Sequence, residues 1–307
     1  MTTTDYTLRK AVDYVNENYP LIARNLSPDV LTDEPDALEA ARFALRYAAE
    51  RSNQDETAIE DALEGFAELS FDFLKRQARF LKTGHYALDT AEGLAEALYN
   101  DESLMTGHYL TGLMMTYALW PNHARILRYF LDEAVHTMPT GCSVIEVGVG
   151  HGLMASSILR DVPESTYTGV DLSPHSLAFS RESFQLFGID ESRWQLLEGD
   201  ATSADMSIAP ADWLVCCEVL EHVDDPVGLL RGMQPLLKPD GKAFISTVAN
   251  LEAEDHVYLF DDAAHIQRAI AEAGFTVISE RALVLPGSEE TTPEPLNYAA
   301  VIRLQTT

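Results

Sequence analysis

The spacing of apolar residues changes character near residue 138. Before it, apolar positions recur at three- and four-residue steps, the period of a helix packed along one face. Residues 6–19 read as an amphipathic helix stopped by Pro20. Asp36 is placed to cap a helix through 50, with Leu38, Ala41, Leu45 and Ala48 on one face. Asp55 is placed to cap a longer one, which carries Ile59, Leu63, Phe66, Leu69 and Phe73 and ends at Gly84. The spacing then predicts a short helix over 91–99, an apolar one over 104–120 broken by Pro121, and a last one capped by Asn122 and running to about 135.

After Pro139-Thr140-Gly141 short β-branched runs alternate with helical patterns. Strands are expected at 143–147, 166–170, 194–197, 213–217 and 243–248, with helices at 153–159, 174–187 and 226–237 between them. A helix near 263–273, a strand at 276–283 and a final strand at 298–304 complete the pattern, and Lys238-Pro239-Asp240-Gly241 reads as a turn before the fifth strand. Such alternation implies a parallel sheet covered by helices on both faces. The expected division is an all-helical domain over 1–138 and an α/β domain over 139–307.

The chain has 307 residues, 46% of them hydrophobic, enough for a substantial core. No apolar run approaches membrane-spanning length, and residues 1–6 lack the basic and apolar regions of a secretory signal. With 21 Lys and Arg against 49 Asp and Glu, the net charge is −28. That field repels phosphate backbones and anionic lipid, so neither nucleic acid nor membrane is the expected partner. The three cysteines, Cys142, Cys216 and Cys217, form neither a disulfide framework nor a zinc motif, which suits buried thiols in the cytoplasm.

Candidate chemistry gathers at the predicted strand ends. The first strand runs through Glu146 into Gly148-Val149-Gly150-His151-Gly152 and a helix. Glycine there permits a sharp turn and close approach of backbone to a ligand. The spacing departs from the nicotinamide fingerprint, and an acid two residues before the first glycine would oppose a pyrophosphate. The second strand ends at Asp171-Leu172, where a carboxylate can accept both hydroxyls of a ribose. The third leads to Asp200-Ala201 and the fourth into Glu218-Val219-Leu220-Glu221-His222.

These four motifs, in this order, resemble the class I S-adenosylmethionine-dependent methyltransferases over roughly residues 140–304. The resemblance implies a Rossmann-like seven-stranded sheet with its last strand antiparallel, and S-adenosylmethionine as cofactor. It implies that Glu146 supports the glycine loop and the methionine amino group, with Gly148, Gly150 and Gly152 forming the loop. Asp171 matches the ribose acid, with Leu172 beside it. Asp200 and Ala201 match the adenine side, and Glu218 lies where the methionyl part is usually held.

The stretch from Glu218 to His222 is similar to that of small-molecule methyltransferases, quinone-pathway O-methyltransferases among them. There His222 would sit near the methyl group, as base or substrate orienter; the alternative is a structural histidine bonded to a neighbouring carboxylate such as Glu221. The same spacing occurs in RNA 3′-end methyltransferases, where Glu218, Glu221, His222 and His256 would match a divalent-metal set. The expectation adopted is a site without metal. Asp255, His256 and Tyr258, in the loop after the fifth strand, are the remaining candidate acceptor contacts, unless that loop is merely a solvated acidic one.

The N-terminal helices are expected to form a lid or a dimer surface. The stripe His108, Tyr109 and Tyr117 reads as core. Arg76, Arg79 and Lys82 are either a cluster for a substrate carboxylate or a solvated face paired with nearby acids. The function expected is methyl transfer to O, N or S of a small metabolite, with an amino acid such as methionine as one option, in a cytoplasmic homodimer. An RNA or protein methyltransferase and a non-catalytic binding module are the alternatives. Methyl transfer is an in-line displacement, so the protein has to align, exclude water and hold a proton acceptor where one is needed.

Overall fold

The structure, a computed structural model, describes residues 7–88, 90–91, 101–203 and 206–305, without the side chains of Ser103 and His108. The helix expected at 91–99 and the His108 side chain therefore lie outside the described residues. The chain opens with helices α1 Leu8–Asn18, α2 Ser27–Val30, α3 Pro35–Arg51 and α4 Glu56–Thr83. Thr7 caps α1; Asp55 caps α4 and Gly84 closes it in the left-handed conformation, as the spacing suggests. Asp36 does not cap α3; the helix begins at Pro35, and Asp36 lies in its first turn, where an acid favours the positive end of the helix dipole.

A short helix, α5 Glu102–Leu104, runs into a π-helical turn at Met105–Tyr109 and then α6 Leu110–Leu119. α7 Pro121–Glu133 follows. Proline takes its first position, so Asn122 is not the cap. The Asn122 amide instead donates to the carbonyls of Leu283 and Val284 at 2.9 and 3.1 Å, pinning α7 to the far edge of the sheet.

The sheet strands are β1 Ser143–Val147, β2 Thr166–Asp171, β3 Trp194–Glu198, β4 Ala211–Cys217, β5 Leu237–Ala249, β6 Phe275–Val284 and β7 Leu296–Leu304. The helices α8 Leu153–Asp161, α9 Pro174–Leu186, α10 Pro226–Met233 and α11 Ala263–Glu272 stand between them. The seven strands lie in the order β3-β2-β1-β4-β5-β7-β6. The first five pair in parallel, and β7 runs antiparallel to both β5 and β6, as expected. Lys238–Gly241 is not a turn before β5 but an excursion within it. Pairing jumps from Ala211 opposite Leu237 to Trp213 opposite Lys242.

One apolar cluster joins α1, α3, α4, α6 and α7 to one sheet face through Val144, Val215, Phe244 and Val301. A second, around Ile145, Leu214, Ile245, Phe260 and Ile270, fills the other face. The N-terminal helices thus share a core with the sheet. The apolar faces of α6 and α7 are largely buried within one chain, which removes the ground on which the helices 104–135 suggest a dimer. Among the described residues, no helix is long and apolar enough to cross a membrane. The strand order reverses between β1 and β4, and a crevice opens beyond their carboxyl ends, where ligands bind in this architecture.

Candidate active site

Gly148, Gly150 and Gly152 all have positive φ, 78°, 52° and 73°. A β-carbon on Gly148 would stand 2.5 Å from Val219 Cγ2, and one on Gly152 2.6 Å from Ser180 Oγ. Packing therefore forbids side chains on both sides of the loop. A β-carbon on Gly150 would meet nothing within 4 Å, and Gly150 lines the cavity. The loop is built to bring bare backbone against a ligand.

Asp171 closes this cradle from β2. Its Oδ2 accepts from Gly150 N at 3.0 Å and its Oδ1 from Ser173 N at 2.8 Å. Each oxygen keeps a lone pair for a ligand hydroxyl. Burial pushes its pKa up, against the pull of those amides. Asp200 Oδ1 accepts from the amide and hydroxyl of Thr202 at 2.8 and 2.7 Å. Leu172, Asp200 and Ala201 all line the same cavity.

Glu146 is 2% exposed and accepts from the Tyr167 hydroxyl at 2.6 Å. Burial, with Asp171 adding, raises its pKa to about 8. The carboxyl is then mostly protonated near neutral pH without a ligand. In the unliganded protein this lowers stability as pH rises from about 4.5 toward 8, because the folded state holds a proton the unfolded state has lost. A bound cation would favour the carboxylate. Calorimetry of S-adenosylmethionine binding at pH 7 in buffers of differing ionisation enthalpy should therefore show proton release, much reduced in Glu146→Gln. Identical heats in all buffers would contradict this.

Glu218 follows β4 with φ +52°, unusual for a residue with a side chain, and its amide donates to Ser246 O at 3.0 Å. Its Oε1 is buried without a hydrogen-bond partner among the described residues. Burial, then the neighbouring Glu221, raises its pKa to about 8.

The cavity, about 990 Å³, continues from this cradle to a chamber roofed by the N-terminal helices. Phe73, Tyr109, Leu113, Tyr117, Trp120 and His123 supply the roof. Tyr109 and Tyr117 line the cavity, and Tyr117 belongs to the core as well. The Tyr109 hydroxyl donates to Asp255 Oδ2.

At the chamber floor His222 Nδ1 lies 2.8 Å from the Asp255 carbonyl oxygen and 3.4 Å from its Oδ2. Burial opposes ionisation of Asp255, but His222, His256 and the Tyr109 hydroxyl outweigh it and hold the carboxyl below its usual range. His256 Nδ1 lies 2.7 Å from the Leu251 carbonyl oxygen, and burial lowers its pKa to about 4. Glu221 is fully buried; its Oε2 accepts from Thr247 Oγ1 at 2.7 Å, while its Oε1 has no partner among the described residues. Burial raises its pKa to about 7. Glu221, His222 and His256 each offer one ligand atom within 4.8 Å of the others. The neighbouring acid that His222 meets is Asp255 rather than Glu221.

Tyr258 stands apart. Its ring packs on Phe260 at 4.7 Å, its hydroxyl faces His265, and it does not line the cavity. The loop alternates direction, so Asp255 turns in and Tyr258 turns toward α11. The basic cluster also stays outside. Arg76 pairs with Asp72 and lies 4.0 Å from Glu254; Arg79 pairs with the buried Glu252 at 2.7 Å; Lys82 is exposed. Two cavity histidines escaped the sequence reading. His151 sits openly inside the glycine motif, whereas His123 carries only the local signal of a residue following Pro121-Asn122.

Residues 145–243 match the family model described as "Methyltransferase domain". A ubiquinone biosynthesis O-methyltransferase of Xanthomonas axonopodis pv. citri (strain 306) is 36% identical over 111 residues, 36% of this chain and 44% of that protein. The chain thus spans less than half the length of that curated relative. Among solved structures, the mitomycin 7-O-methyltransferase MmcR matches at TM-score 0.54 and 15% identity, covering 80% of this chain and 71% of that one. The cyclase SpnF matches at TM-score 0.51 and 15% identity, covering 77% and 94%. Both likenesses concern the fold, which hosts more than one chemistry. Residues 145–243 therefore form a methyltransferase domain, and its glycine loop, strand-end acids and sheet order agree with those of the class I S-adenosylmethionine-dependent methyltransferases.

Proposed function

We propose that this protein transfers a methyl group from S-adenosylmethionine to a small metabolite. The observation that carries the reading is one continuous cavity joining the glycine cradle and Asp171 to a chamber under the helical roof. The residues fit the cofactor: Gly150 leaves room for it, Asp171 keeps lone pairs for the ribose, and Glu218 presents a buried oxygen without a partner. Asp200, Ala201 and Leu172 would flank the adenine, and Glu146 and Glu218 the cationic methionyl end. The cofactor supplies an activated methyl whose leaving group is a neutral thioether.

The rest falls to the chain. The aromatic roof excludes water and orients the acceptor. His222, whose Nδ1–H is held on the Asp255 carbonyl, presents Nε2 as proton acceptor. Among the described lining residues Arg24 is the only Arg or Lys, and it is exposed. The chamber therefore suits a neutral or cationic, largely apolar acceptor better than an amino acid held by its carboxylate, and an oxygen acceptor accords with the O-methyltransferase relative. The test is a metabolite extract incubated with methyl-labelled cofactor. A labelled small product is expected; label only in RNA or protein, or none, would overturn the reading.

The cluster of Glu221, His222 and His256 favours a second reading, in which a divalent ion assists. Carboxylate and imidazole suit such an ion, which would acidify an acceptor hydroxyl. An ion on His222 Nε2 would exclude its use as base. Loss of turnover on chelation, restored by a divalent cation, selects this reading; indifference to chelation selects the first.

A further inference from the structure

The cavity wall holds two histidines to which neither reading gives a hydrogen-bonding or metal role. His123, at the start of α7, and His151, in the glycine loop, both line the cavity. Tyr117 packs against both rings, with centroids 5.1 and 5.4 Å away, and Trp120 packs edge-on against His123 at 5.1 Å.

Their protonation states follow from their neighbours. The Thr116 hydroxyl gives its single hydrogen to the Leu113 carbonyl at 2.6 Å. Its oxygen, 2.8 Å from His123 Nδ1, can then only accept, so Nδ1 carries the proton and Nε2 is a bare lone pair. His151 is the opposite tautomer. Its Nδ1 accepts from Leu153 N at 3.3 Å, which leaves the proton on Nε2. Burial keeps both neutral, with pKa values of about 3 and about 4. The Nε2 atoms of the pair have no protein partner among the described residues. Both side chains line the cavity, where a ligand can supply the partner.

We propose that His123 and His151 form a hydroxyl-recognition subsite, where His123 accepts from, and His151 donates to, a hydroxyl on an aromatic acceptor. A hydroxyl oxygen is the small neutral group that donates once and accepts at the same atom. Tyr117 and Trp120 supply ring faces beside it. An ether accepts from His151 but gives His123 nothing. The subsite thus separates a phenol from its methyl ether. The proposal rests on the acceptor-chamber reading above and deepens it.

The test uses phenol and anisole as probes, titrated into the full chain saturated with S-adenosylhomocysteine. Phenol should bind at least tenfold more tightly than anisole. His123→Phe, which keeps a ring against Tyr117, should abolish that preference while leaving S-adenosylhomocysteine affinity within twofold. In wild-type protein labelled with ¹⁵N-histidine, phenol should shift a bare-nitrogen signal that anisole leaves in place. Equal binding of the two probes, an unchanged preference in His123→Phe, or an unmoved ¹⁵N signal would each overturn the subsite. Failure of S-adenosylhomocysteine to bind would instead strike the methyltransferase reading itself, so the two failures are distinguishable.

Discussion

Asp171→Ala weakens binding of S-adenosylmethionine by one to two orders of magnitude in a protein that still folds. Two effects combine. Hydrogen bonds from both ribose hydroxyls are lost, at about 1.5–3 kcal/mol for charged acceptors. The Gly150 and Ser173 amides, which the carboxylate accepts at 3.0 and 2.8 Å, lose the anchor that shapes the cradle. Since burial raises the Asp171 pKa, its removal also relieves an unfavourable desolvation, and the unliganded mutant should melt close to wild type. Calorimetric titration and a melting curve together check this. Unchanged affinity would remove Asp171 from the cofactor site.

The larger structural effect is expected at the roof. Gly112 of α6 faces Gly65 of α4, and a β-carbon there would lie 2.7 Å from the Gly65 carbonyl carbon and oxygen. Backbone cannot step aside as a side chain can. Gly112→Leu must push α6 from α4 and displace Leu113, Tyr117 and Trp120, which line the chamber. The cost is about 3 kcal/mol, the upper end for overpacking. Thermal unfolding should shift down by several degrees. Acceptor turnover should fall further than cofactor affinity, because the cradle belongs to the sheet. A mutant of wild-type stability would show that the two helices are not in contact.

The cofactor cradle was legible in the sequence because its chemistry is local. Strand, glycine loop and strand-end acid lie within a few residues of each other, and Asp171 reaches Gly150 across neighbouring parallel strands. The chamber was less legible because its walls meet from distant positions. Arg79 finds Glu252 across 173 residues, so which acids pair with the two arginines of the basic cluster cannot be read from local sequence. Asn122 carries a capping side chain, yet Pro121 takes the helix start and the amide is drawn to β6, 161 residues on. In Lys238-Pro239-Asp240-Gly241 the local turn signal is sound, but β5 absorbs it as a bulge because Leu237 and Lys242 both find partners on β4. Tyr117 reads as core by its spacing. It is 5% exposed and yet lines the cavity, a distinction that periodicity cannot carry.

The most direct test of the account is calorimetric titration of the purified chain with S-adenosylmethionine and S-adenosylhomocysteine, repeated with Asp171→Ala. The account predicts one site per chain, micromolar affinity for both ligands, and a loss of roughly ten- to hundredfold in the mutant. Absence of binding to either ligand by folded wild-type protein would contradict it.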